Sequence, residues 1–521
     1  MLKSSGAMGA ATLSSRILGM VREIVYARFM GDGWVASAFV LALMIPNLFR
    51  RLLGEGALTA AFVPIFKAKE KTEGEREMWS AANAVISGLV VAASAITFLV
   101  VLGISLVLAM GWAKTETQLM LQLLRIMFPY MLLACLAAVF MSMLNARGFF
   151  FLPALGASLL NLVMIAAVLW LAPRFGHNLQ SQIFALAIGI LIAGLLQAGF
   201  QVPTLRRQGY RAQWVTPWGN ETVREVLRKM VPGTIGVAAF QLNVLVTQGF
   251  AFWVEANIVA SFNYAVRLME LPQGVFGISL ATFMLPTLSG LAAEKKYGEF
   301  RATLRQGIGY LCFVNLLASA LLVSLATPII RLLFERGHFD AGSTHRAAFA
   351  LTCLAPGLAA FSVVNVMARA FYALNDTKTP MLISIVCLGL NLVFSLWLVF
   401  PFKQGGLGIA NTMSALFNVG LLFYSMRRKL RGFDVMDLKK PLLGMVAASV
   451  FAGGMAWGLN RVWENALGHT TLASRIGAVF APMIAAGFLY FSIALIMGIP
   501  QAHEFLGLFR QKLRRPKLNL V

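Results

Sequence analysis

Acidic side chains are scarce in this chain, with 21 aspartates and glutamates against 44 lysines and arginines in 521 residues. Charge of either sign is rare, at 12% of residues where an ordinary soluble domain carries about 25%, so no soluble domain of useful size fits. Cysteine is rarer still. Cys135, Cys312, Cys353 and Cys387 lie in apolar runs without paired spacing and read as small hydrophobes, not as a disulfide framework or metal ligands. The five histidines (His177, His338, His345, His469, His503) fall in expected loops or in the tail, as solvated side chains. No GxxxxGK[ST] loop, HExxH or paired CxxC occurs, which argues against an ATP-driven pump and against a metal enzyme. No cofactor and no metal are expected.

What the chain does have is apolar length. Hydrophobic residues make up 59% of it, and a span needs about 20 of them. Runs bounded by turn or charge signals place membrane-spanning helices near 8–29, 34–53, 79–111, 117–146, 153–172, 180–205, 224–254, 258–290, 301–334, 343–373, 378–401, 405–426, 441–460 and 473–497. The expected fold is an all-α polytopic membrane protein of about 14 helices. Lys3 gives the start a superficial likeness to a signal peptide, but Arg16 and Arg22 follow inside the apolar stretch with no small-residue cleavage site, so the first helix is expected to be retained.

Lysine and arginine crowd alternate loops, at 67–76, 206–211, 295–296, 427–431 and 510–517. The positive-inside rule then puts both termini in the cytoplasm, consistent with an even number of spans. The net charge of +23 is read as this topology signal and as attraction to anionic membrane lipids, not as nucleic-acid binding.

An internal repeat appears at an offset of about 222 residues. EGALTAAFVPIF (Glu55 to Phe66) resembles GISLATFMLPTL (Gly277 to Leu288), Pro64 matches Pro286, and each stretch precedes a charged segment expected as a loop. Two pseudo-symmetric six-helix lobes around a central cavity follow, over 1–220 and 221–432, with a C-terminal helix pair and basic tail over 433–521.

The informative charges sit inside the spans. Arg16, Arg22 and Glu23 lie on the first helix, with Arg16 and Glu23 on nearly one face and Arg22 about 9 Å further along. Arg50 and Arg51 close the second helix, downstream of Pro46, which is expected to bend it. Arg51 and Glu55 are spaced i,i+4 for pairing, while Arg50 has no obvious local partner. Arg267 and Glu270 are spaced i,i+3 just before Pro272 and Gly274, which should break the helical ladder. An arginine at mid-bilayer costs roughly 2.5–3.5 kcal/mol, so something must offset the cluster. Guanidinium forks suit the oxygens of a diphosphate.

Blander readings stand beside this one. Arg50 and Arg51 could be interfacial anchors, Arg267–Glu270 a buried structural pair, Arg28 a snorkelling residue beside the turn Gly31-Asp32-Gly33, and Arg125 and Arg369 lesser candidates. Gly454-x-x-x-Gly458 reads as close helix packing.

Over nearly its whole length the chain resembles the MurJ/MviN lipid II flippases of the multidrug/oligosaccharidyl-lipid/polysaccharide exporter superfamily. The stretches that carry the resemblance are SRILGMVREIVYARFMG (Ser15 to Gly31), IPNLFRRLLGEGALTAAFVPIF (Ile45 to Phe66), YAVRLMELPQGVFGISLATFMLP (Tyr264 to Pro286) and FYALNDTKTP (Phe371 to Pro380), with Asn145, Pro153 and Asn161. The resemblance implies alternating access that carries the undecaprenyl-diphosphate-linked disaccharide-pentapeptide to the periplasmic leaflet of the bacterial inner membrane, and a terminal helix pair grooved for the lipid tail. It implies that Arg16, Arg22, Arg50, Arg51 and Arg267 hold the substrate and that Glu23, Glu55 and Glu270 pair with them or gate. Cell-wall synthesis proteins are possible partners under it, and membrane potential or a monovalent cation the possible driving force. Two positions depart from the family's pattern, since Ser37 and Val266 stand where it carries acidic residues. The alternatives are an exporter of another lipid-linked oligosaccharide or of drugs, the latter disfavoured for cations by the arginines. A polyprenyl-phosphate glycosyltransferase would need acidic extracytoplasmic loops that this chain does not offer.

Overall fold

The computed structural model describes the backbone of residues 2–54, 57–430 and 436–514, and side chains from residue 14 onward except at 57, 232, 233, 235, 236, 436–438 and 508–514. Among the described residues there are helices and no strands. Among the described residues twelve helices are long and apolar enough to cross a membrane, or thirteen if Thr115–Met127 and Tyr130–Ala146, bent by 41°, form one span. The first expected segment, 8–29, is helical within Leu2–Met30.

Two compact units emerge. The first comprises residues 1–260 and 336–340. It contains α1 (Leu2–Met30), α2 (Trp34–Leu53), α3 (Ala57–Thr72), α4 (Glu75–Met110), α5 (Thr115–Met127), α6 (Tyr130–Ala146), α7 (Phe151–Ala166), α8 (Leu179–Gly199), α9 (Val202–Arg207) and α10 (Glu221–Val254). Helix α1 packs on α7, α2 on α5, and α10 on α2 and α3. Compactness therefore groups α10 with the first unit, whereas the boundary at 220/221 follows the repeat. The core is apolar and aromatic, with Phe39, Phe128 and Tyr130 almost fully buried.

The second unit comprises 261–335 and 341–521. Its helices are α11 (Ile258–Pro272, whose first turn lies in the first unit), α12 (Ser279–Ala293), α13 (Tyr297–Ser324), α14 (Ala326–Phe334), α15 (Ala341–Leu354), α16 (Leu358–Ala373), α17 (Lys378–Phe402), α18 (Gln404–Lys429), α19 (Met436–Leu467), α20 (Leu472–Ile496) and α21 (Pro500–Arg514). The pair α19–α20 leans on α13 and α14. Arg331 on α14 bonds Glu464 on α19 at 2.7 Å, and Glu335 takes Arg475 on α20 at 3.3 Å. Each carboxylate lies within reach of a guanidinium on another helix, so the desolvated charges compensate one another.

Local chemistry sets many helix ends. Asn178, Asn220 and Thr471 cap α8, α10 and α20 by accepting first-turn N–H bonds, and Gly111 closes α4 in the left-handed conformation. The charged segment after Phe66, expected as a loop, is helical to Thr72 because Lys67–Glu70 and Lys69–Glu73 pair along it. His345, also expected in a loop, lies on α15. The run 301–334 is interrupted at Leu325. Helix α2 continues through Pro46 without a break. At Gly454 and Gly458 an added Cβ would meet open space, so close packing there is not what they provide, and Gly453 instead faces Ala320.

Residues 336–340 belong to the first unit although the chain on both sides belongs to the second. The His338 N–H donates to the Arg28 carbonyl at 3.0 Å. Gly31 and Gly337 both have φ +61°, and a Cβ on either would fall 2.5 Å from the His338 oxygen or 2.4 Å from the Arg28 oxygen. The turn expected to let Arg28 snorkel also serves, through its backbone, as a dock for this loop.

Candidate substrate site

On α1, Arg22 Nη2 donates to Glu23 Oε1 at 2.5 Å, with side-chain exposures of 19% and 13%. Its guanidinium also lies 5.4 Å from the centre of the Tyr26 ring, which meets Phe39 of α2 edge-on at 6.0 Å. The aromatic pair ties the arginine to the α1–α2 contact. The sequence signal for Tyr26 is its i+4 spacing from Arg22.

Arg16 is exposed on the same helix. Beside it the Ser15 carbonyl accepts a bond from Asn161 Nδ2 of α7 at 3.2 Å. An added Cβ on Gly19 would approach the same amide to 3.6 Å. Asn161 thus holds α1 at the turn that presents Arg16.

At the end of α2, Arg50 does have a local partner, since its Nε donates to Asn47 Oδ1 at 3.1 Å. This partner is the asparagine of the IPNLFRR stretch, a neutral acceptor three residues upstream on the same helix face. Arg51 is exposed. Gly54 ends the helix, its N–H bonded to the Arg50 carbonyl, where a Cβ would press on the Cys135 backbone at 3.0 Å. Glu55, the expected partner of Arg51, lies outside the described residues.

In the second unit Arg267 Nη1 and Glu270 Oε2 are 2.9 Å apart, as the i,i+3 spacing predicts. Their side chains are 45% and 52% exposed, so the buried structural pair considered from sequence is not what forms. Six residues beyond Arg267 the ladder changes, and Gln273–Ile278 forms a π-helical turn between α11 and α12. Pro272, which lacks an N–H, and a glycine pair permit this wide turn. Gly277 is essential to its packing, because a Cβ there would fall 2.7 Å from Ser362 Oγ on α16.

Ser37, where the resemblance expects an acid, is fully buried on α2. Its Oγ accepts the N–H of Ala260, a first-turn amide of α11, at 3.0 Å. A neutral hydroxyl therefore supplies the cap that an open helix start requires. Val266 is half-buried, and nothing in the structure explains it. Arg125 is exposed and Arg369 half-buried. Among the described residues no cluster of three or more His, Cys, Asp or Glu could hold a metal ion.

Comparison with known proteins bears on the family and the fold. The family model described as "Lipid II flippase MurJ" matches residues 26–476. A probable lipid II flippase MurJ of Haemophilus influenzae is 34% identical over 86% of this chain and 90% of its own length. One of Vibrio cholerae is 31% identical over 96% of each. Among solved structures, a lipid II flippase MurJ in an inward closed conformation superposes with TM-score 0.76 at 22% identity, covering 98% of this chain and 99% of that one. An inward-facing multidrug resistance MATE family transporter of the MOP superfamily follows at TM-score 0.65 and 16% identity, covering 80% and 95%. At these identities the structural likenesses speak for the fold alone.

Proposed function

Because the chain belongs to the lipid II flippase MurJ family, we propose that it moves the undecaprenyl-diphosphate-linked peptidoglycan precursor across the inner membrane by alternating access. It is a multi-pass, all-helical membrane protein of a transporter family. In the proposal both termini are cytoplasmic, fourteen helices form two six-helix lobes and a terminal pair, and the precursor travels from the cytoplasmic to the periplasmic leaflet.

Arg16, Arg22 and Arg267 hold the diphosphate in this reading, and Arg50 and Arg51 assist. The observation that carries it is charge balance. The sequence sets five arginines against three glutamates (Glu23, Glu55, Glu270), and 5 − 3 leaves a surplus of two positive charges. A diphosphate linking two organic groups bears one negative charge per phosphate. The bound headgroup then matches the net positive charge of these eight residues. The glutamates hold the guanidinium groups when the site is empty, as Glu23 does for Arg22 at 2.5 Å. Arginine forks bind phosphate oxygens in pairs, and the exchange of a carboxylate for a phosphate partner requires no proton transfer. The same positive surplus repels cationic drugs. Moving a doubly charged headgroup couples transport to membrane potential at roughly 2.3 kcal/mol per charge per 100 mV.

Arg22→Ala and Arg267→Ala should each abolish complementation of a flippase-depleted strain while the protein stays at wild-type level in the membrane. Normal growth with both variants overturns the diphosphate assignment.

A further inference from the structure

A segment far from these arginines has features that transport of the precursor does not use. Between α9 and α10, residues 210–217 run as an irregular arm along α4. The arm is pinned at successive points. The Tyr210 ring packs against Trp79 and Phe140 at 5.5 and 6.2 Å. Asn83 Nδ2 donates to the Arg211 carbonyl at 2.9 Å, and the Val215 N–H donates to Ser87 Oγ at 3.2 Å. Pro217 lies against Gly88, where an added Cβ would stand 3.4 Å from its ring. A chain held this firmly nonetheless displays Trp214 at 65% and Trp218 at 73% exposure.

Residues 211–214, 216 and 218 are exposed, while Val215 is half-buried and Pro217 is buried against α4. Basic residues flank the indoles on both sides, with Arg206, Arg207 and Arg211 before them and Arg224, Arg228 and Lys229 on the first turns of α10, all exposed. Among the described residues only Lys229 of these six has a carboxylate partner, Glu225 at 2.7 Å. With Glu221 and Glu225 included the local balance is 6 − 2, or +4.

Depth follows from helix length. Helix α4 has 36 residues and ends at Met110, beside Trp112, which is 86% exposed. Gly88 is 22 residues and Trp79 is 31 residues from Met110, hence about 33 and 47 Å along the axis, beyond a hydrocarbon layer of about 30 Å. The arm is thus set at headgroup level. Indole rings favour that layer, and clustered arginine and lysine favour anionic lipid there. Because the arm is already pinned, little ordering entropy is lost on contact.

We propose that the arm 208–219, with the basic start of α10, is a preformed docking surface for the headgroups of anionic phospholipids. The surface does not depend on which lipid the protein carries, so it stands or falls separately from the flippase reading.

The test places a Thr216→Cys reporter on the exposed face of the full-length protein, in nanodiscs of phosphatidylcholine with or without phosphatidylglycerol. Labelling by a water-soluble, uncharged maleimide is followed, with the unmodified protein as background and Thr115→Cys, at the opposite end of α4, as control. Phosphatidylglycerol should slow labelling at 216 about fivefold or more and leave 115 unchanged. The slowing should vanish when Trp214→Ala is combined with Trp218→Ala, and also when Arg211, Arg224 and Arg228 are changed to glutamine; unchanged labelling at 115 verifies that these variants fold. Equal, fast labelling in both lipids would mean that the arm faces water or a soluble partner, and would overturn the proposal. Equally slow labelling in both lipids, or slowing that survives the substitutions, would overturn it as well, because charge would not be what is read.

Discussion

Gly31→Ala tests the dock between the α1–α2 turn and the loop 336–340. Two costs add at this position. The φ of +61° puts an L-residue in the left-handed region, worth about 1–2 kcal/mol. The new Cβ would also lie 2.5 Å from the His338 carbonyl oxygen, a backbone atom that cannot rotate away. The loop must then shift and lose the His338–Arg28 bond, worth about 0.5–1.5 kcal/mol. Partial exposure of Phe339, now 1% exposed, adds up to about 1.5–3 kcal/mol. The expected total is roughly 3–6 kcal/mol. Gly111→Ala supplies the control, because Gly111 has φ +68° with no atom within 4 Å of its would-be Cβ, so only the first cost applies. Thermal unfolding in detergent should show Gly31→Ala clearly below Gly111→Ala, with faster proteolysis at 336–340. Equal midpoints for the two variants would refute the docking argument and leave only backbone strain.

Further outcomes follow from single contacts. Burial alone would raise the Asp376 carboxyl, but bonds from Lys429 and from the Thr379 N–H and hydroxyl outweigh it and bring it from 3.8 down to about 2. The folded value lies below the unfolded one, so this stabilisation is complete above pH about 4 and is lost as pH falls through about 2. Asp376→Asn should lower stability at pH 7 by about 1–2 kcal/mol after solvent screening, and the difference from the parent should shrink toward pH 2 in acid unfolding; a difference that is constant with pH would contradict the charge argument. Ser37→Ala should cost about 0.5–2 kcal/mol through loss of the α11 cap, seen as a lower midpoint in the same melts, and an unchanged midpoint would contradict the capping role. Gly277→Ala should destabilise the protein because its Cβ meets Ser362, and the second change Ser362→Gly should recover most of the loss; absence of recovery would place the cost elsewhere.

Much of the architecture was legible in the sequence because the bilayer imposes a one-dimensional rule. Each span must be long, apolar and internally hydrogen-bonded, so runs such as 378–401 and 473–497 correspond closely to Lys378–Phe402 and Leu472–Ile496. Local spacing was equally readable where both partners share one helix, as for Arg267 and Glu270, and where proline and glycine disturb the ladder, as at Gln273–Ile278. Spacing did not single out Asn47 as the partner of Arg50, because a neutral side chain took the place of a carboxylate. Ser37, at the position where the family pattern carries an acid, caps α11 through its hydroxyl. Gly454 and Gly458 matched a packing motif and yet face open space, because a motif does not specify which side of a helix meets a neighbour.

By itself the sequence determined that this chain is a bundle of membrane-length helices and which few helices carry charge into it, since both follow from hydropathy and from residues close together along the chain. Only the tertiary structure decided that the loop 336–340 docks on the turn after α1, that the arm 210–217 is clamped along α4, and that Asn161 supports α1 beside Arg16. These contacts join residues separated by more than a hundred positions, mostly through backbone amides and carbonyls. Every residue carries those same groups, so no residue type along the chain could have announced them.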